Sequence, residues 1–338
     1  MKLQAQARRA FTLVELMVAA AVSIVIMTIL ATVFQMALDT MRQVRSQAEM
    51  ADQLRAVGGV IQRDLSRDGG TFFSPDENAP ASNYGVKMSD WAQSPGTPVT
   101  TGGFLTIFSP PSNLDGGGAV DANGFTSSFS VLHSMQFTSV LPGLLEKDNY
   151  TAVVGGQTFT SPAAEIAYSL VPSSLTTPSG NTLFSLRRRQ WLVAKTNADV
   201  ARLTPALSLP NAIQSISISP MNGTVNSMQS LVNFQNRSMP VALAAGDDIL
   251  LSNVLSFEVK INHNAATPFG PANSDFPFDT LANFPPNAAT PAFPGFTFDT
   301  AMPVAGFPAI SVRGVQIRIR VYDPKVQTGR QITIVQDL

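Results

Sequence analysis

Glu15 is the residue most at odds with its surroundings in this sequence. From Phe11 to Leu38 the chain reads FTLVELMVAAAVSIVIMTILATVFQMAL, with no Pro, Gly, Lys or Arg and with Glu15 as its one ionisable side chain. A carboxylate inside a membrane-spanning segment costs roughly 2.5–3.5 kcal/mol even on the lenient insertion scale, and by default it is a functional group awaiting a partner. The span itself holds no base. Either a neighbouring molecule supplies the positive charge, or Glu15 lies close enough to the interface to be wetted.

Other chemistry-bearing residues are sparse. The absence of cysteine excludes a disulfide scaffold, a thiolate zinc site and a cysteine nucleophile. His133 and His263 are the only histidines, and both fall in or beside strand-like runs where a structural or exposed role suffices. No Gly-x-Ser-x-Gly elbow, phosphate-binding glycine loop or His-Glu-x-x-His occurs, so no catalytic residue, cofactor or metal site is assigned. Asp115-Gly116-Gly117-Gly118 and Asp121-Ala122-Asn123-Gly124 carry oxygen ligands of the kind calcium takes. They lack the later Glu of an EF-hand loop, and a turn-rich connection is the plainer reading. Arg187-Arg188-Arg189, with Trp191 nearby, is the densest basic cluster. Only alternate strand residues share a face, so the run is read as solvated. A formal net charge of −1 likewise shows none of the basic stripe of a nucleic-acid binder.

The apolar run is the element that must position Glu15. A bilayer core of ~30 Å needs about 20 apolar residues as a helix, which Leu16 to Met36 supplies. Lys2, Arg8 and Arg9 precede it without an acid, which places 1–10 in the cytoplasm and the rest outside. A cleaved secretory signal has a shorter apolar region of ~7–15 residues followed by loop-like sequence. Here helical sequence follows instead. Met41, Val44, Ala48, Ala51, Leu54, Val57, Ile61 and Leu65 recur at steps of three and four, with most charges off that stripe. Gly58-Gly59 weakens the helix locally, and its end is expected at Asp68-Gly69-Gly70.

Arg8-Arg9-Ala10-Phe11-Thr12-Leu13-Val14-Glu15-Leu16 resembles the processing motif of type IV pilins and type II secretion pseudopilins. The resemblance implies that a membrane prepilin peptidase cuts between Ala10 and Phe11 and that the Phe11 amine is then methylated. The family's usual residue before the cut is Gly, from which Ala10 departs. Glu15, fifth after the cut, matches the acid that pairs with a neighbouring subunit's N-terminal amine during assembly. Loss of Lys2, Arg8 and Arg9 would leave the mature chain three charges more negative. Other implied partners are further pilins or pseudopilins, an inner-membrane assembly platform and membrane lipid; nucleic acid is not expected. Ala51 to Leu65, ending in Arg63-Asp64-Leu65, is similar to PilW-like minor pilins and J-type minor pseudopilins. These carry an Arg-Asp-Leu-type segment at the end of the first helix. The implied role is a structural minor subunit and not an enzyme. A membrane-tethered enzyme or binding protein that uses the helix only as an anchor is the alternative.

The expected organisation is a leader at 1–10, a transmembrane helix at 11–38, its amphipathic continuation at 39–68 and an extracytoplasmic β-rich domain at 69–338. Short strand-like runs there include Tyr150–Phe159, Thr182–Ala194, Ala212–Ser219, Asn253–Asn262 and Ser311–Asp323. Val315, Ile317, Ile319 and Val321 alternate with Gln316, Arg318 and Arg320, as an antiparallel sheet with one wet face requires. Residues 264–308 are crowded with Pro and Phe and read as an inserted extended loop, its Phe side chains packing it onto the domain. The fold class is α+β: a long N-terminal helix packed on an antiparallel β-rich domain.

Overall fold

The computed structural model describes residues 12–66, 104–109, 132–141, 149–178, 180–237, 247–263, 278–279, 296–300, 312–324 and 326–337. The chain divides into two compact units, Met1–Met50 and Ala51–Leu338. Helix α1 spans Leu13–Ser66. From Leu13 to Val44 its large apolar side chains are exposed, and among the described residues it is the helix long and apolar enough to cross a membrane. The hydroxyls of Ser23, Thr28, Thr32 and Thr40 donate at 2.8–2.9 Å to the carbonyl four residues back. These hydroxyls are thereby satisfied within their own helix, which hydrocarbon demands.

The second unit is built on antiparallel strands: β1 (Leu105–Ser109), β2 (Ser134–Val140), β3 (Tyr150–Val154), β4 (Gln157–Ser161), β5 (Ala163–Thr176) and β6 (Thr182–Val193), then, after helix α2 (Asn197–Leu203), β7 (Asp248–His263), β8 (Phe278–Asp279), β9 (Phe296–Asp299), β10 (Val312–Asp323) and β11 (Thr328–Asp337). Nine of them form one sheet in the order β11-β10-β7-β6-β5-β2-β1-β9, with β8 beside β7. Register sets the faces, because directly opposed residues share a side. Ile334 opposes Ile317, which opposes Val259; Met135 opposes Tyr168, which opposes Arg188. This face takes the end of α1, where Leu54, Val57, Ile61 and Leu65 are buried. Each such side chain contributes about 1.5–3 kcal/mol. The expected helix-on-sheet, α+β architecture is what the chain adopts.

Gly58 lies against the Ile332 and Ile334 side chains, where a Cβ would meet them at 3.5–3.6 Å. A Cβ on Gly59 would meet nothing within 4 Å. Gly59→Ala therefore removes a helix-interior glycine without a clash and is expected to stabilise the fold by about 1 kcal/mol. Urea unfolding of the variant beside the parent checks this; a loss of stability would show that the site is crowded.

Three sequence expectations are corrected. Tyr150–Phe159 is not one strand but part of the β3–β4 hairpin, because Gly155 and Gly156 take φ of +56° and +82°, as a tight two-residue turn requires. Ala212–Ser219 is a 3-10 turn at Ala212–Gln214 followed by isolated bridges at Ile216 and Ile218; Asn211, at φ 65°, breaks the extended path. Within 264–308, Phe278–Asp279 and Phe296–Asp299 join the main sheet, so these parts are not loop. Phe298 is fully buried, which fits the packing role expected of those aromatics. The Asp115–Asn123 segment and the helix end expected at Asp68-Gly69-Gly70 lie outside the described residues.

Candidate functional site

Thr12 and Glu15 open α1 as a reciprocal cap. The Glu15 carboxylate accepts from the Thr12 backbone N–H at 2.9 Å and from the Thr12 hydroxyl at 3.0 Å. The Glu15 N–H donates to the Thr12 hydroxyl oxygen at 3.3 Å. A Thr followed three residues later by Glu is the capping-box pattern, in which each side chain satisfies the other's backbone amide. It was legible in the Thr12-Leu13-Val14-Glu15 spacing. The wetted and intermolecular readings of Glu15 therefore gain a companion: within one chain the carboxylate already has donors at its own helix start, one residue from Phe11. Ala10, Phe11, Lys2, Arg8 and Arg9 lie outside the described residues.

At the other end of α1, Asp64 is buried and fully partnered. Arg188 Nε donates to its Oδ2 at 2.5 Å and Arg188 Nη2 to its Oδ1 at 3.2 Å, a two-pronged guanidinium–carboxylate pair. The Tyr168 hydroxyl donates to Oδ2 at 2.6 Å, and the Ser139 hydroxyl to the Asp64 carbonyl at 3.3 Å. Burial, reinforced by the Asp64 charge, pushes the Tyr168 phenol well above its ordinary range. Burial also works to lower the Arg188 guanidinium, but the Asp64 hydrogen bond and charge overcome it and raise it above its usual value. The solvated reading of Arg187-Arg188-Arg189 is thus corrected. Strand alternation sends Arg188 to the α1 face and its neighbours to the other, where Arg187 reaches Asp247 at 3.6 Å and Arg189 also pairs with Asp247. Arg189 further lies 5.1 Å from the Trp191 ring centroid. Paired acids distant in sequence, invisible to a local reading, are the reason.

The histidines are structural. Buried His133 accepts the Val259 N–H at Nδ1, 3.0 Å away, and His263 Nε2 lies 2.9 Å from Asp279. Among the described residues no group of three or more His, Asp or Glu is arranged to hold a metal.

A helix capped by Thr12 and Glu15 with a long exposed apolar stretch, together with an antiparallel sheet domain, fits a membrane-anchored protein of pilin-like design. The family model for the prokaryotic N-terminal methylation motif matches residues 6–33. With the long apolar helix that follows, this prepilin-type motif likens the chain to type IV pilins and pseudopilins. No curated protein and no solved structure matches it.

Proposed function

We propose that this chain is a structural minor pilin or pseudopilin, cut between Ala10 and Phe11, methylated on the Phe11 amine and built into a type IV pilus or a type II secretion pseudopilus. Before assembly it sits as a single-pass inner-membrane protein with its β-rich domain outside the cytoplasm. The observation that carries this reading is the methylation motif at 6–33 running directly into an exposed apolar helix. Lys2, Arg8 and Arg9 hold the leader on the cytoplasmic side, where the peptidase works, and the assembly platform and neighbouring pilins engage the helix. Glu15 supplies the charge that meets the next subunit's amine. The chain acts by packing and not by catalysis.

Mass analysis of the mature N-terminus, in cells that carry a prepilin peptidase, tests the processing step. The expected species begins at methylated Phe11. A chain that begins at Met1, or in the 30s as a cleaved signal would leave it, overturns the reading.

A further inference from the structure

We draw no further inference here: the strongest candidate, the outer edge of β11 (Thr328–Asp337), a bulge-free strand that among the described residues pairs with β10 alone and exposes Val335, carries none because nothing in the structure shows what covers it.

Discussion

Glu15→Ala is expected to enter the membrane as readily as the parent chain and to be missing from filaments. Removing a carboxylate from the start of an apolar helix lowers the cost of insertion. What is lost is the charge that would meet a neighbour's Phe11 amine. A hydrogen bond to a charged group is worth about 1.5–3 kcal/mol, which corresponds to roughly 10- to 150-fold in each subunit-to-subunit equilibrium. The variant also loses the Thr12–Glu15 cap, so a second substitution separates the two roles. Glu15→Gln keeps a side chain that can complete the capping box but carries no charge. If pairing with an amine is the role of Glu15, Gln fails nearly as badly as Ala. Immunoblots of sheared filaments and of the membrane fraction, compared for the two variants, decide it. Wild-type incorporation of Glu15→Gln would leave the cap, and not the charge, as the function of the residue.

The second large effect lies in the interior. Arg188→Ala is expected to destabilise the β-rich unit by about 3–5 kcal/mol, because it strands the Asp64 carboxylate in a site with no exposure. Tyr168 alone cannot offset that charge, since its hydroxyl contributes a single hydrogen bond at 2.6 Å. Asp64→Ala should cost less, since Arg188 keeps the Gln190 side-chain oxygen at 3.1 Å and Asp248 at 3.8 Å. The double variant should lose much less than the sum of the two, since neither charge then remains unpaired. Urea unfolding of the four proteins of this cycle measures the coupling. Strict additivity, or a cost for Arg188→Ala below about 1 kcal/mol, would mean that the pair is wetted and contributes little. By contrast, Arg42–Asp39, Arg45–Glu49 and Arg55–Asp52 are exposed on both partners. Such surface pairs are worth at most a few tenths of a kcal/mol each.

The two ends of α1 differ in how far a reader of the sequence could go. The basic leader, the Phe11 boundary, the Thr12-to-Glu15 spacing and the apolar run are contiguous, and the match at 6–33 falls on that same stretch. The stripe of Leu54, Val57, Ile61 and Leu65 also marks its buried face by period alone. Asp64 sits inside that well-read helix, yet its role was not legible. A buried acid and a solvated one look alike until the residue opposite is known, and Arg188 lies 124 positions away. Turn chemistry was the other blind spot: Gly155-Gly156 folds an apparently continuous run back on itself.

What the sequence alone determined is everything governed by local rules: the membrane-length helix, its capped and charged start, the processing motif and the alternation of β7 and β10. Insertion, capping and strand amphipathicity each depend on residues within a few positions of one another. What only the tertiary structure decided is which charges meet. Sheet register sends Arg188 to Asp64 on one face, and Arg187 and Arg189 to Asp247 on the other. It also seals Glu165 beneath Ser217. Those pairings follow from the order of strands in the sheet, and that order is set by long-range burial that no window of sequence contains.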